Sequence, residues 1–387
     1  MLRQVIEITA MNLSNLPSRV GSSSVIVVGI AGVVGVLVAL LAMAGGFEAA
    51  LERGGAPDRA IVLRSGSDSE MASNVGQDAV NVVSSMEEVD ASSAELYLVV
   101  DVPKRSGGQV ANLVIRGVER SGFEIRPEVR IVAGRHFNPG TREMIAGRKA
   151  SAEFRGIDLG ATVELRDGEW AITGLFEANA SAYESEMWAD LPVAQSAFRR
   201  GGATQSMRIR VESPRDIPAL AQRVRDDPRL DLEVIGEEEF FRGQSDAMSG
   251  LIRGFGYTVA LIMAVGAVFA ALNAMYTAVS ARTVEIATLR ALGFGGGPVV
   301  VSVIIEALAL GVLGGLLGGA VAYFGFNGFT VSTLNQGSFS QVAFDFAVTP
   351  DLLLSGLSWA VTLGLFGGLF PAVRAARLPI TTALRGE

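Results

Sequence analysis

The side chains that most often perform catalysis are scarce in this chain of 387 residues. His136 is the single histidine and cysteine is absent, which excludes a His/Cys metal cluster and any thiol nucleophile. A serine triad built on His136 would lack the Gly-x-Ser-x-Gly turn that presents such a nucleophile. Chance pairs among the many carboxylates give no specific support to glycosidase chemistry. The sequence therefore predicts a non-catalytic chain with no metal site and no cofactor of its own.

Nucleotide hydrolysis also has no place in this sequence. A phosphate-binding loop of the Walker type needs Gly-Lys-Ser/Thr. The only two lysines are Lys104, which follows a proline, and Lys149, which follows an arginine. If ATP is used, we expect another chain to bind it.

One acid lies inside a long apolar run. Glu306 is costly in hydrocarbon unless it is protonated or hydrogen-bonded, so it has either a packing role or a part in proton transfer. No second acid or base in the apolar runs extends a proton relay. We therefore favour a helix-packing role, with Asn273 as a candidate partner.

The segment from Arg282 to Gly293 predicts a short helix between two apolar runs. Glu285 follows Arg282 by three positions, a spacing that permits local pairing on a helix. Gly293 is a suitable C-terminal stop.

Small residues mark a close-packing surface in the run that contains Glu306. Gly311, Gly315 and Gly319 repeat at four-residue spacing, with Gly314 and Gly318 beside them. Such spacing predicts a flat helix face that another helix can approach closely. The neighbour could belong to the same chain or to a second copy.

Charge divides the chain into two parts. Residues 48 to 253 contain 59 charged side chains, whereas the other 181 residues contain 13. The charge-poor part forms four runs with room for the roughly 20 residues that cross a bilayer core about 30 Å thick, which excludes a wholly soluble enzyme. About 20 residues precede the first run, which favours a retained anchor over a cleaved signal peptide.

The predicted segments are an amphipathic helix (1–20), membrane helix one with the start of a stalk (21–47), a domain with stalk helices (48–253), membrane helix two (254–281), a coupling loop (282–297), membrane helix three (298–325), a loop (326–351), membrane helix four (352–373) and a tail (374–387).

Arginine placement predicts the orientation. Seven arginines lie in the N-terminal segment, the 282–297 loop and the tail, whereas the 326–351 loop has no Lys or Arg. The positive-inside rule then puts both termini and the middle loop in the cytoplasm of an inner-membrane protein. The 48–253 domain and the 326–351 loop would lie in the periplasm.

The N-terminal segment has a helical pattern, with an apolar face that we expect to lie on the inner membrane surface. That face is Leu2, Ile6, Thr9, Leu13, Leu16 and Val20, and Asn12 lies mostly opposite. Pro17 should end or turn the helix.

The charged domain predicts an α+β fold. Its strand-like runs are 60–63, 95–102, 112–118, 161–165, 169–175 and 206–211, and its helical patterns are 75–86 and 217–226. Helical patterns at 47–53 and 237–253 predict two stalks that continue membrane helices one and two. The domain has a net charge of −9, which argues against a nucleic-acid partner.

The loop motif Arg-Thr-x-Glu-Ile-x-x-Leu-Arg-Ala-Leu-Gly at 282–293, followed by Ile305-Glu306-Ala307, resembles the MacB/FtsX type of ABC transporter permease. The Pro371 to Pro379 tail and the Ile131 to Phe137 run are similar to other parts of that family.

The resemblance implies a permease subunit that works as a homodimer in the lipid bilayer with a separate cytoplasmic ABC ATPase. Movement driven by ATP would pass through the stalks to the periplasmic domain, for export or extrusion of a substrate from the inner membrane or periplasm. A periplasmic adaptor is a further partner that the resemblance implies only for some members, and the domain here is shorter than in full macrolide exporters.

The loop helix is the compact cytoplasmic element between two spans, and we expect it to meet the ATPase. Arg282, Thr283, Glu285, Leu289, Arg290 and Gly293 are the candidate coupling residues, with Leu289 inserted into a groove of the ATPase. Two alternatives stay open: an FtsX-like transmitter that activates a periplasmic enzyme, and a four-span sensor or scaffold that uses no ATPase.

Overall fold

The computed structural model describes residues 2–14, 20–166, 168–335, 339–377 and 379. The chain forms two compact units. The membrane unit comprises Met1–Ala44, Leu251–Phe329 and Phe346–Glu387, and the sheet domain comprises Gly45–Gly250 and Thr330–Asp345. The predicted turn at Pro17 and most of the 374–387 tail lie outside the described residues.

Four helices of the described chain are long and apolar enough to cross a membrane. They are α2 (Val20–Glu52), α8 (Glu237–Ala281), α10 (Gly296–Phe326) and α11 (Pro350–Arg377). α8 includes the whole stalk predicted at 237–253, and α2 includes the stalk predicted at 47–53 up to Glu52, so the helices do continue beyond the apolar runs. At about 1.5 Å per residue, the 45 residues of α8 extend over roughly 68 Å.

The first helix is α1 (Leu2–Ser14). Asn12, expected mostly opposite the apolar face, is buried, whereas Ile6 of the predicted face is 61% exposed. Ile8 and Thr9 are also buried, and the Asn12 amide donates a 2.7 Å hydrogen bond to Ser302 Oγ of α10. A specific polar contact with α10 thus determines the position of the Asn12 side, and the contact of the Ile6 side with the membrane surface stays a prediction.

The glycines of α10 contact neighbouring helices of the same chain on two sides. A Cβ built on Gly315 would lie 2.6 Å from Ala360 Cβ of α11, and one on Gly311 would lie 2.8 Å from the Ala360 carbonyl oxygen. A Cβ on Gly319 would meet only the flexible end of Leu353 at 3.3 Å. This row is therefore a close-packing surface against α11.

The second glycine pair of α10 packs against α2. A Cβ on Gly314 would lie 2.9 Å from the Val27 carbonyl oxygen, and one on Gly318 would lie 2.5 Å from that of Ala31. The single flat stripe predicted from the sequence is thus two adjacent faces, each with its own helix. Both neighbours belong to the same chain, which answers the question that the spacing left open.

The sheet domain is built on a ten-stranded sheet in the described residues. Its strands are β1 (Arg59–Arg64), β2 (Ala91–Pro103), β3 (Val110–Val118), β4 (Arg130–Gly134), β5 (Glu143–Gly147), β6 (Thr162–Leu165), β7 (Gly168–Glu177), β8 (Glu186–Asp190), β9 (Ser206–Arg210) and β10 (Leu232–Gly236). Their order is β10-β1-β9-β2-β3-β8-β5-β7-β4, with β6 also paired to β7. Most pairs are antiparallel, but β8 runs parallel to β3 and β5 runs parallel to β7.

Short helices cover this sheet. They are α3 (Gln77–Ser84), α4 (Ser121–Ile125), α5 (Arg148–Glu153), α6 (Leu191–Ala197) and α7 (Asp216–Asp226). α3 buries Val80 and Val83, and α7 buries Leu220 and Val224, in the apolar core beneath them. The mixed content confirms the predicted α+β fold.

The 326–351 segment, expected as a plain loop, contains a hairpin of β11 (Thr330–Asn335) and β12 (Ser340–Asp345). The hairpin belongs to the sheet domain, where Asn112 Nδ2 donates a 2.8 Å hydrogen bond to the Phe339 carbonyl. Lys104 Nζ lies 2.8 Å from Ser332 Oγ. The sheet domain therefore includes chain from both sides of α10.

Replacing Gly315 by leucine should destabilise the membrane unit by more than about 2 kcal/mol, because the side chain must occupy space held by Ala360. The loss is measured as a lower midpoint of thermal unfolding of the full chain in detergent. Gly266→Leu on α8 is the matched control, since a Cβ there meets no atom within 4 Å. Equal midpoints for the two variants would contradict the packing described here.

Candidate coupling site

The predicted loop helix is present as α9 (Thr283–Ala291), between α8 and α10. Arg282 is its N-cap residue, and the Arg282 carbonyl accepts the Ile286 N–H at 2.9 Å. At the other end Gly293 has φ +97°, a conformation that favours glycine. The Gly293 N–H bonds to the Arg290 carbonyl and the Phe294 N–H to the Leu289 carbonyl, which is a Schellman termination.

The side chain at the start of α9 is buried in an ion pair. Arg282 Nη2 lies 2.8 Å from Glu306 Oε1 and Nη1 lies 3.0 Å from Oε2, and the two side chains are 6% and 5% exposed. The structure therefore corrects two predicted pairings: Arg282 with Glu285, and Glu306 with Asn273. It also removes Arg282 from the surface that could meet another protein. Two donors in a planar fork on two carboxylate oxygens give this pair a defined geometry.

A second buried polar contact lies one turn earlier on the same face of α10. Ser302, four residues before Glu306, accepts the hydrogen bond from Asn12 and is fully buried. One face of α10 thus holds both α1 and the start of α9 by polar side chains.

The remaining predicted coupling residues divide between buried and exposed positions. Glu285 is exposed, whereas Leu289 is half-buried and lines a cavity of about 20 Å³ beside Arg282 and Glu306. Thr283 Oγ1 donates a 2.8 Å hydrogen bond to the Ser280 carbonyl, and Arg290 is half-buried in the last turn.

The exposed apolar side chains of this segment are Val284, 54% exposed, and Leu292, 73% exposed. Sequence reasoning missed them because the helical pattern alone does not tell which side of α9 rests on the membrane unit. Ile286 and Ala287 are buried and identify that side. Val284 and Leu292 therefore offer apolar surface to another molecule.

A second cluster of buried charge lies in the sheet domain. It contains the arginines 59, 116, 126 and 208 and the glutamates 70, 95, 186 and 237, all under 10% exposed. Each of these arginines lies within 3.0 Å of a carboxylate oxygen of the cluster, except Arg208, whose closest is at 3.1 Å. Charges removed from water require such partners, and the numbers of the two signs match.

Arg116 is the centre of this cluster. Its guanidinium contacts Glu70 at 2.8 Å, Glu95 at 2.7 Å and Glu186 at 2.7 Å. Burial by itself raises the pKa of Glu95, but the charges of Arg126, Arg116 and Arg208 outweigh it, and the pKa lies below its ordinary value of 4.5. The carboxylate is therefore ionised at neutral pH despite full burial.

The cluster also holds the first residue of α8. Glu237 is fully buried, with Arg59 Nε 2.7 Å and Arg208 Nη1 3.2 Å from its two carboxylate oxygens. The Tyr183 hydroxyl donates to the same carboxylate at 3.2 Å. Arg59 is in β1 and Arg208 in β9, so the start of α8 is bonded to two adjacent strands of the sheet.

Comparison with known families accounts for most of the chain. The model of the MacB-like periplasmic core domain matches residues 23–227, and that of the FtsX-like permease C-terminal region matches residues 257–380. The chain belongs to the MacB/FtsX-type family of ABC transporter permeases. The four apolar helices agree with a multi-pass protein of the inner membrane, and the resemblance found in the sequence is confirmed.

Individual relatives are distant. The chain is 26% identical over 310 residues to the macrolide export ATP-binding/permease protein MacB 1 of Aeromonas hydrophila, a match covering 75% of this chain and 46% of that protein. It is 24% identical over 348 residues to the uncharacterized ABC transporter permease YknZ of Bacillus subtilis, covering 83% of each. The chain thus spans about half the length of the MacB relative.

Two solved structures of extracytoplasmic regions are similar to part of the chain. The extracellular domain of the ABC-type transporter YknZ from Gram-positive bacteria has a TM-score of 0.36 at 16% identity, covering 46% of this chain and 99% of that one. The periplasmic region of MacB from Actinobacillus actinomycetemcomitans has a TM-score of 0.37 at 12% identity, covering 52% and 94%.

Replacing Glu95 by glutamine should lower the free energy of unfolding by about 3 to 5 kcal/mol, because Arg126 and Arg116 lose a buried counter-charge. Since the folded pKa of Glu95 is below 4.5, its contribution is fully present above pH 4.5 and is lost as the pH falls towards the folded pKa. The variant should therefore lose less further stability than the parent chain between pH 5 and pH 3. Urea unfolding of the full chain followed by tryptophan fluorescence measures both effects.

The control for this change is Glu164→Gln, which removes an exposed carboxylate of β6. Its unfolding should match that of the parent within about 0.5 kcal/mol. An equal effect of both changes would show that the buried network contributes nothing specific.

Proposed function

We propose that this chain is the membrane subunit through which a separate cytoplasmic ATPase moves the sheet domain, for export or extrusion of a substrate from the inner membrane or periplasm. The observation that carries the proposal is α9, a short helix with a buried inner side and an exposed apolar outer side. A force applied to α9 acts on the two helices that flank it in the chain, α8 and α10. Of these, α8 continues into the sheet domain.

The proposal includes an ATPase because the chain belongs to a family of ABC transporter permeases, and the MacB relative is named as an ATP-binding/permease protein. These 387 residues contain no Gly-Lys-Ser/Thr phosphate loop. We therefore assign ATP binding to chain outside these residues, which we propose to be a partner subunit, with two copies of this chain forming the membrane part.

The orientation follows from the arginines. Arg282 precedes α9 and Arg290 lies in its last turn, whereas the 326–351 segment has no basic residue. The positive-inside rule then puts α9 and both termini in the cytoplasm and the sheet domain in the periplasm. α9 is therefore on the side of the membrane where ATP is available.

The outer side of α9 suits insertion into another protein. Val284 and Leu292 expose apolar surface, and burying one such side chain stabilises a complex by about 1.5 to 3 kcal/mol. Glu285 is exposed on the same helix and can add a charge contact at the edge. This surface replaces Leu289 as the main apolar contact, because Leu289 lines the cavity beside Glu306.

The match to the FtsX-like C-terminal region supports a second candidate function for the same complex of permease and ATPase. In that case the moving sheet domain would activate a periplasmic enzyme rather than drive a substrate outward. Both outputs need an ATPase bound at α9, whereas a sensor or scaffold without an ATPase does not.

The change Leu292→Asp should reduce the ATPase that copurifies with the full chain from its native membranes by at least about tenfold, because a carboxylate would be buried in an apolar contact. The measurement is the rate of ATP hydrolysis per mole of purified chain. Leu159→Asp is the control, since Leu159 is 44% exposed in the sheet domain. Leu289→Asp is less suitable because it also brings a second carboxylate towards Glu306.

Equal ATP hydrolysis by the parent chain and the Leu292→Asp variant would contradict docking at α9. The orientation is checked in the same strain set, since the chain has no cysteine. A Thr288→Cys variant that reacts with an impermeant thiol reagent in intact spheroplasts would place α9 on the wrong side of the membrane.

A further inference from the structure

The two side chains that join α9 to α10 are the most deeply buried ion pair of the described membrane unit. Both are at most 6% exposed, and two hydrogen bonds of 2.8 and 3.0 Å fix their relative orientation. Removing two charges from water is costly, and apolar side chains of similar volume often stabilise a fold as well or better. Stability alone therefore gives no reason for an ion pair at this position.

The pair differs from apolar packing in its directionality. Apolar contacts are non-directional and permit small shifts between surfaces, whereas a planar guanidinium bonded to two carboxylate oxygens fixes both distance and angle. Arg282 also carries the N-cap carbonyl that accepts the Ile286 N–H, so the backbone at the start of α9 is fixed by the same residue.

The ion pair lies where three helices meet in the chain and in space. Arg282 is the single residue between the end of α8 at Ala281 and the start of α9 at Thr283. Glu306 lies on a third helix, α10, ten residues after the first residue of that helix. The Arg282 side chain thus joins the junction of α8 and α9 to α10.

We propose that the Arg282–Glu306 clamp, meaning this bidentate ion pair, positions α9 so that a displacement of α9 is passed to α10. Arg282 and Glu306 are positioning residues in this account, and they do not touch ATP. The proposal rests on the function proposed above for its final step, but the position of α9 is a property of the chain alone. The two parts are therefore tested separately.

The first test uses the full chain alone in lipid vesicles. The double variant Arg282→Met/Glu306→Leu removes both charges and leaves apolar groups of similar size, so the fold is expected to persist. We expect the amide hydrogens of residues 284–291 to exchange at least about tenfold faster than in the parent chain, because α9 opens more easily. Exchange in the 300–320 part of α10 should stay unchanged and shows that the membrane unit is folded.

Two further variants make this result specific. The exchanged pair Arg282→Glu/Glu306→Arg rebuilds the ion pair in reverse and should restore most of the protection of α9. Ser302→Ala removes the other buried polar contact on this face of α10, which holds α1, and should leave α9 unchanged. Unchanged exchange of α9 in the double apolar variant would overturn the clamp.

The second test adds the copurified ATPase and ATP. With the double apolar variant we expect the ATPase to bind, since Val284 and Leu292 are intact, while its stimulation by the chain falls at least about fivefold. Loosened α9 with full stimulation would overturn the transfer of displacement. If the parent chain binds no ATPase at all, the proposed function fails while the first test still decides the clamp.

Discussion

The membrane unit depends on the requirement that every buried polar group in hydrocarbon has a partner within the protein. α10 supplies such partners to two of its neighbours. Its Ser302 accepts a hydrogen bond from α1, and its Glu306 pairs with Arg282 at the start of α9. On its other faces glycines replace side chains, so that α2 and α11 approach its backbone. A polar face and two small-residue faces on one helix thus account for the contacts of α10 with α1, α9, α2 and α11.

The sheet domain also buries polar groups, and there the buried groups are charged. Its interior contains a matched set of arginines and glutamates in addition to the apolar core. Full burial strengthens each ion pair but makes the loss of one partner costly, so the network tolerates little independent movement of its members. Because Glu237 belongs to the network, the first residue of α8 is held by β1 and β9. A buried ion pair therefore lies at each end of α8, one in each unit, since Arg282 directly follows its last residue.

Much of the architecture was predictable because it follows from composition. Four apolar runs, their helical continuations and six of the strands carry strong local signals of hydropathy and β-branched residues. β4, β5, β8 and β10 were missed because each is only five residues long. β5 and β8 also begin with glutamate, and their burial comes from pairing with distant strands. The hairpin of β11 and β12 was missed because Phe339 and Leu334 lie in a segment rich in polar and small residues.

The site was less predictable than the fold. Glu306 was identified as a packing residue, but its partner Arg282 lies 24 positions away, and no local pattern joins them. The same limit applied to α1, whose buried Asn12 follows from Ser302 rather than from the amphipathic pattern. The exposed side of α9 likewise depends on which side rests on the membrane unit. Predicting which side chains pair between helices requires knowledge of how the helices pack. The presence of a helix can be predicted from the local sequence pattern alone.

The central proposal is that ATP hydrolysis by a partner ATPase bound at α9 moves the sheet domain. A spin label on a Ser92→Cys variant, in β2, would report the distance between the sheet domains of the two copies in the proposed dimer, because the chain has no other cysteine. Pulsed electron spin resonance on the purified complex in lipid should give different label-to-label distances in the nucleotide-free state and in a state trapped with ATP and vanadate. Identical distances in the two states, in a complex that hydrolyses ATP before trapping, would contradict the account.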